Sequence, residues 1–183
     1  MGPAMGNVPR RSIAVALLLL SVFAFGGNAD AQPSTPMSGQ TLAAAHAVTL
    51  AAATTRVVLQ PGAAAGLRQQ LKDLGPRPLF LVLDDLRAVQ TPGIIYEIYL
   101  GLPPGAAPNA DDPHYVGTLN FFAVAAPNTA RRSRSYDVTT LVARLLSQGL
   151  PEDQLSVTIV GRVQSEPPAA VPPSIGSVAL VAQ

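Results

Sequence analysis

The chain has 183 residues, of which 48% are hydrophobic, 13% are charged and 5% are aromatic, and it carries a formal net charge of +1 with no cysteine. The apolar fraction excludes a disordered polar segment, the balanced charge argues against a nucleic-acid-binding protein, and the lack of cysteine excludes a disulfide-stabilised scaffold. The composition is therefore that of a globular domain that packing alone must stabilise.

The first 31 residues have the pattern of a signal peptide. Arg10 and Arg11 precede an apolar stretch over residues 13–25, and Ala29-Asp30-Ala31 is a small-x-small cleavage signal. The stretch is shorter than the roughly 20 residues that span a bilayer, so no permanent membrane span is expected. We expect cleavage after Ala31 and an exported protein, periplasmic or extracellular. The arginine pair leaves the choice between the Sec and twin-arginine routes open.

Residues 32–45 are rich in Pro, Ser, Gly and Ala and have no apolar periodicity. This composition predicts a flexible linker, so the folded domain is expected to comprise residues 46–183.

Short β-prone runs separated by turn residues follow from Val48 onward. In the clearest run, Tyr96, Ile98 and Leu100 share one strand face, and Glu97 is expected to face solvent from the other. About seven such strands predict a mainly β fold, an antiparallel β-sandwich. The runs include residues 57–59, 79–83, 94–100, 115–121, 155–159 and 176–180.

One crossover helix is predicted at about residues 139–148. Its apolar stripe includes Leu141 and Leu145, Asp137 or Thr139 can cap its start, and Gly149 ends it. A shorter helix is predicted over residues 64–74, where leucines recur at helical spacing.

The sequence contains no recognisable set of catalytic residues. His46 and His114 are the two histidines, whereas transition-metal sites usually need three or four ligands. Asn109, Asp111 and Asp112 offer oxygen ligands but lack the spacing of a known calcium loop, so a solvated turn is favoured. Nucleophile-elbow, phosphate-loop and zinc-protease motifs are missing from the sequence. No catalytic residue, metal or cofactor is expected, and the protein is predicted not to be an enzyme.

Several segments, in their order along the chain, resemble the C-terminal domain of tyrosinase and polyphenol oxidase proteins, in the version that bacterial members carry. Tyr96-Glu97-Ile98-Tyr99-Leu100 is similar in character to the K-F-D-V-Y-V strand of that domain. The resemblance covers about Val48 to Val181. The matching segments are Leu81–Arg87, Pro92–Pro103, His114–Leu119, Ser135–Val138, Leu155–Val160 and Ile175–Val178.

The resemblance implies a role without oxidase chemistry of its own. Tyrosinases bind two coppers through six histidines on a helical core that this sequence lacks, and their C-terminal sandwich packs over the copper domain. The implied function is a non-catalytic module that covers, stabilises or assists a separately encoded tyrosinase-like copper protein or another envelope protein. Two alternatives stay open, namely a part of a split or truncated phenol oxidase and a remnant without retained function.

The surface expected to face such a partner is the loop from Leu102 to Pro113 with the tyrosine that follows it. The candidate residues are Leu102, Pro103, Pro104 and Tyr115.

Overall fold

The computed structural model describes residues 2, 39–62, 66–109, 111–122, 132–149, 155–163 and 170–183. Apart from Gly2, these residues belong to the unit Pro36–Gln183. Apart from Gly2, the predicted signal peptide lies outside the described residues, as do residues 32–38 of the predicted linker. Within the described ranges, no helix has the length and apolar character to cross a membrane.

Eight strands and two short helices make up the described part of the domain. In chain order they are β1 (Gln40–Thr49), β2 (Thr54–Pro61), α1 (Leu67–Asp73), β3 (Leu79–Arg87), β4 (Ile94–Leu100), β5 (Tyr115–Leu119), β6 (Arg134–Asp137), α2 (Thr139–Ser147), β7 (Leu155–Val163) and β8 (Ser174–Ala182).

The eight strands form one antiparallel sheet in the order β5-β4-β7-β2-β1-β8-β3-β6. The sheet curls until its edge strands β5 and β6 meet, where the Tyr136 hydroxyl donates to the Thr118 carbonyl at 2.7 Å. Gly117 permits this approach, because a Cβ there would lie 2.9 Å from the Tyr136 ring. The predicted mainly β, antiparallel fold class is confirmed, with eight strands in a nearly closed sheet.

The core lies inside the curled sheet and follows the predicted strand alternation. Tyr96, Ile98 and Leu100 are all fully buried, as expected for one face of β4. Each fully buried aliphatic side chain contributes about 1.5–3 kcal/mol relative to an exposed one, so this interior is the main source of stability. The neighbouring strands add Leu81, Leu83, Leu155, Val157, Ile159, Val178 and Leu180, all at 0% exposure.

Both predicted helices are present. Helix α2 buries Val142 and Leu145, and the Asp137 carboxylate accepts a hydrogen bond from the Thr139 N–H at 2.9 Å where the helix starts. Gly149 follows the helix with a φ of 84°, a left-handed conformation that glycine adopts without steric cost. The shorter helix α1 buries its own leucines and lies within the predicted residues 64–74.

The predicted linker is wrong for residues 40–45, which belong to β1. Leu42 and Ala43 in this strand are fully buried, and β1 pairs with β8 from Gln40 opposite Ala182 to Thr49 opposite Ser174. Alanine has a low intrinsic preference for strands, so its short side chains gave no β signal in the sequence. Strand preference depends mainly on pairing and burial, and here both favour a strand.

The two strands that flank β8 each contain one residue in the left-handed conformation at the same level of the sheet. Ala47 in β1 and Asp85 in β3 have φ values of 54° and 56°, and the register places both opposite Gly176 in β8. A Cβ at Gly176 would lie 2.7 Å from the Asp85 Cβ. This level of the sheet therefore requires glycine in β8 and places two L-residues in a conformation that costs free energy.

Candidate interaction surfaces

Three of the predicted partner-facing residues, Leu102, Pro103 and Pro104, lie on the loop that follows β4, which we call the proline loop (described residues 101–109 and 111–114), and Tyr115 is the first residue of β5. Pro103 and Pro104 are exposed and Tyr115 is half-buried, whereas Leu102 is 2% exposed. Leu102 packs with Tyr99 in a small second core on the outer face of the sheet. Of the four predicted residues, Leu102 therefore belongs to the protein interior, and the other three keep accessible surface.

Three arginines from different elements hold the proline loop by its backbone. Arg56 in β2 donates to the Leu102 carbonyl at 3.0 Å, Arg162 in β7 donates to the Pro108 carbonyl at 3.1 Å, and Arg144 in α2 donates to the Pro113 carbonyl. Hydrogen bonds from charged donors are stronger than neutral ones. The loop is thereby fixed against the outer face of the sheet.

Glu97 lies beneath this loop rather than in open solvent, which corrects the expectation from the sequence. Its side chain is 17% exposed, and its Oε2 accepts hydrogen bonds from the Tyr99 hydroxyl at 2.8 Å and from Arg162 Nε at 3.0 Å. Burial raises the pKa of Glu97, but the hydrogen bonds from Arg162 and Tyr99 outweigh burial and leave that pKa below its usual value. Burial and the Glu97 carboxylate raise the pKa of Tyr99 to about 12.

An open groove of about 420 Å³ lies between the proline loop and α2. Several of its polar groups already serve the fold. Asp137 accepts from Thr139, Arg144 donates to the proline loop, and Asp112 accepts from the His114 N–H. The hydrogen bonds from Thr139 hold the pKa of Asp137 below its usual value. The groove is lined by Asp112, Pro113, Tyr115, Asp137, Thr140, Leu141 and Arg144.

The two histidines occupy different settings. His46 is exposed on β1, and His114 Nδ1 lies 3.7 Å from Asp112 Oδ1. Across the described ranges, no three His, Cys, Asp or Glu side chains are grouped so that they could hold a metal ion. Asn109 Oδ1 accepts from the Asp111 N–H at 2.9 Å, a local turn in which the side chain bonds to the backbone two residues on.

The opposite end of the sheet carries a feature that the sequence reasoning missed. Four large apolar side chains are exposed among the described residues, namely Val89 (75%), Phe122 (58%), Val163 (47%) and Val171 (49%). The register brings them to one end, because Ile94 pairs with Val163, Arg87 pairs with Ser174 and Tyr96 pairs with Leu119. We call these four residues the apolar end.

Single exposed apolar residues are ordinary, whereas several at the same end of a sheet make that end a candidate interaction surface. A signal was present in the sequence, since Val89 and Val171 stand in turn segments where polar residues are usual. Only the pairing of the strands could show that these separate segments lie at the same end of the sheet.

A small pocket of about 60 Å³ opens at the same end. The Leu50 N–H donates to the Pro173 carbonyl at 2.9 Å, and the Gly161 N–H donates to the Ala53 carbonyl at 2.6 Å. A Cβ at Gly161 would overlap the Ala52 carbonyl, so glycine is required for this approach. The walls of the pocket are Leu50, Ala52, Pro92, Ile94, Tyr96, Pro172 and Pro173.

Among the described residues that line this pocket, Tyr96 alone carries a polar group in its side chain. Its ring is fully buried and packs edge-to-face on Phe121, with centroids 5.8 Å apart. Its hydroxyl is buried and has no hydrogen-bond partner within the described part of the chain. Burial raises the pKa of Tyr96, so the hydroxyl is a neutral donor.

Comparison with known proteins gives one family and several solved structures. A recombinantly expressed latent aurone synthase (polyphenol oxidase) is 14% identical, with a TM-score of 0.49 over 73% of this chain and 25% of that chain. Latent apple tyrosinase is 14% identical, with a TM-score of 0.45 over 75% of this chain and 27% of that chain. The chain thus spans about a quarter of the length of these two proteins.

A search of curated proteins found no match. The family described as domain of unknown function (DUF7868) matches residues 35–183. Since this match covers most of the chain, the protein belongs to the DUF7868 family.

Proposed function

We propose that this protein is a non-catalytic module that binds a separately encoded tyrosinase-like copper oxidase and covers or stabilises it. The observation that carries the proposal is the apolar end, where the exposed side chains of Val89, Phe122, Val163 and Val171 lie at the same end of the sheet. The kind of partner follows from the sequence resemblance over about Val48 to Val181, since the C-terminal domain that this chain resembles packs over a copper domain.

The apolar end has the composition expected at the centre of a protein interface. Aromatic side chains often supply the largest part of the binding energy, so Phe122 is the expected anchor, and the three valines at the same end of the sheet add apolar surface. A stable specific interface buries about 800 Å² on each partner, which requires neighbouring polar surface as well.

The structure also offers a control surface. Pro103 and Pro104 are exposed on the proline loop, which three arginines hold in place from beneath. Replacing these prolines alters the proline loop, which the sequence predicted to face the partner and which lies at the other end of the sheet. Variants at the two ends can therefore locate the contact.

The test mixes the purified chain with a tyrosinase-like copper oxidase encoded in the same genome and measures complex formation by isothermal titration calorimetry. We expect a Kd in the micromolar range or below. The double variant Phe122→Ser, Val171→Ser should weaken the complex at least tenfold, while the control Pro103→Ser, Pro104→Ser should leave the Kd unchanged. Copper content and phenol oxidation of the oxidase are measured in the same samples.

Absence of binding at micromolar concentration would overturn the proposal. Weakening by the proline variant alone would assign the contact to the proline loop and reject the apolar end. Phenol oxidation that needs both proteins, with an oxidase inactive by itself, would favour a split phenol oxidase instead.

A further inference from the structure

The two end strands of the sheet, β5 and β6, face each other without being paired. They stand at opposite ends of the strand order, and the pairing within the described residues joins β5 to β4 and β6 to β3. Their Cα atoms nevertheless come within 8 Å of each other, whereas paired strands lie about 4.8 Å apart. We call the gap between these two strands the seam.

The side chain of Tyr136 in β6 spans the seam. Its hydroxyl donates to the Thr118 carbonyl of β5 at 2.7 Å, and its ring contacts Gly117, where a Cβ would come within 2.9 Å of the ring. Burial raises the pKa of Tyr136, so the hydroxyl keeps its proton at neutral pH. On the inner side, the ring and Val116 pack against the main core. A single side chain thus joins two strands that no backbone ladder connects within the described residues.

Each end strand is fixed on its own side of the seam. The Val138 N–H donates to the Leu79 carbonyl at 2.8 Å, and the Leu86 N–H donates to the Arg132 carbonyl at 3.0 Å, so β6 is attached to β3 at both of its ends. Strand β5 pairs with β4 along its length. The seam can therefore open by loss of one hydrogen bond and one ring contact, while both end strands stay paired with their neighbours.

The junction opposite the seam has the geometry of a hinge. Strands β1 and β2 meet midway along the strand order, with four strands on either side. Their register within the described residues is short, with Ala43 opposite Pro61 and Ala44 opposite Gln60. Pro61 has no N–H to donate to the ladder. A short junction between two halves of four strands allows the halves to move slightly apart at the seam.

We infer that the Tyr136 side chain is a clasp, and that in the native state the seam opens and closes while the rest of the sheet stays folded. The other neighbouring strands are joined by backbone ladders, whereas the seam depends on one neutral hydrogen bond and one half-buried ring. Local openings occur where a structure has the fewest such contacts. Opening uncovers the edges of β5 and β6, and closing keeps these edges from pairing with another chain.

The test uses thiol labelling of the full chain, which contains no cysteine of its own. Leu119→Cys places a thiol at a buried position of β5, and the control Leu180→Cys places one at a buried position of β8, which has a neighbour on both sides. Labelling by dithiobis-nitrobenzoate is followed in urea below the unfolding transition. We expect Leu119→Cys to react at least tenfold faster than Leu180→Cys. Its rate should change little with urea, because a local opening exposes little surface.

Tyr136→Phe keeps the ring and removes the hydroxyl. It should speed the labelling of Leu119→Cys about two- to tenfold, the effect of losing one neutral hydrogen bond. Tyr115→Phe is the matched control, because Tyr115 belongs to the small second core and packs edge-to-face on Tyr99, with centroids 5.6 Å apart. This control should leave the labelling rate of Leu119→Cys unchanged.

Equal rates and equal urea dependence of Leu119→Cys and Leu180→Cys would overturn the inference, because global unfolding would then expose both thiols. Fast labelling that Tyr136→Phe leaves unchanged would reject Tyr136 as the clasp. If Leu119→Cys does not fold, relaxation dispersion in nuclear magnetic resonance decides the question on the unsubstituted chain. Exchange at Gly117 and Thr118 that grows in Tyr136→Phe supports the inference, and lack of exchange at both overturns it.

Discussion

Glu97 in β4 and Arg162 in β7 form an ion pair across neighbouring strands, with Oε2 of Glu97 2.9 Å from Nη2 of Arg162. The same guanidinium donates to the Pro108 carbonyl in the proline loop, and the same carboxylate accepts from Tyr99. One carboxylate thus connects two central strands, the small second core and the loop above them. Arg162 is nearly half exposed, so water and salt weaken the ionic part of this link.

Glu97→Gln should lower the free energy of unfolding at neutral pH by about 1 kcal/mol, because a charge-assisted acceptor for two donors is lost. The pKa of Glu97 is lowered in the folded protein. Its contribution is therefore complete above the ordinary value of about 4.3 and is lost as the pH falls through the lower folded value. Urea denaturation at neutral pH and at about pH 3 should show the two proteins converging in acid.

Asp111→Asn is the control for this experiment, since Asp111 is an exposed carboxylate on the same loop. It should change stability by less than about 0.5 kcal/mol at either pH. A difference between Glu97→Gln and the parent that stays constant across this pH range would contradict the assigned role of the carboxylate.

Tyr99 should titrate later than an ordinary tyrosine. Burial, with the Glu97 carboxylate beside it, raises its pKa to about 12. A raised tyrosine pKa means that the stabilising effect is complete below about pH 10 and is lost as the pH rises through 12. Ultraviolet titration of tyrosinate should show a late group that disappears in Tyr99→Phe and moves to lower pH in Glu97→Gln. Burial also raises the pKa of Tyr96, so the test is the difference between the two proteins, and a late titration of equal amplitude in Tyr99→Phe and the parent would reject the assignment.

Sequence patterning predicted β4 well because its inner face alternates without interruption, and Tyr96, Ile98 and Leu100 are fully buried as expected. It could not predict that the proline loop lies over the outer face of the same strand. That cover depends on long-range bonds such as the one from Arg56 to the Leu102 carbonyl, 46 residues apart. For the same reason Leu102 was expected at the surface and lies in the interior.

The apolar end could not be predicted for a related reason. Each of its side chains stands in or beside a different turn, and no local pattern connects Val89 with Phe122. Their location at the same end follows from the strand order and register, in which sequence neighbours are often separated in the sheet. The unpaired hydroxyl of Tyr96 is likewise visible only once its surroundings are known.

Ile98→Ala should lower the free energy of unfolding by about 2–5 kcal/mol, because it removes a fully buried side chain from the main core. The appropriate comparison is Ile95→Ala, on the opposite and only partly buried face of the same strand, which should cost clearly less. Equal losses at the two positions in chemical denaturation would reject the strand register.

Ala47→Gly should increase stability by up to about 1 kcal/mol, although glycine usually weakens a strand. Ala47 has a φ of 54°, which costs an L-residue roughly 1–2 kcal/mol and costs glycine almost nothing. Ala45→Gly is the matched control, because Ala45 pairs regularly with Val178 in the same strand. It should lower stability by about 0.5–1 kcal/mol. Thermal denaturation that ranks the two variants in the opposite order would show that Ala47 does not adopt the left-handed conformation in solution.

The start of the folded domain can be tested by truncation. A chain that begins at Gln32 keeps the whole of β1 and should unfold in one cooperative transition, unchanged by EDTA, because apolar packing supplies its stability. A chain that begins at His46 loses Leu42 and Ala43, both fully buried, and removes the first half of the pairing between β1 and β8. Since β1 lies between β2 and β8 in the sheet, that deletion opens the barrel-like curl at its centre. The shorter chain should therefore show no cooperative thermal transition by circular dichroism.

A cooperative transition in the chain from His46 would restore the domain boundary expected from the sequence. Loss of the transition of the chain from Gln32 in EDTA would show that a metal ion stabilises the fold.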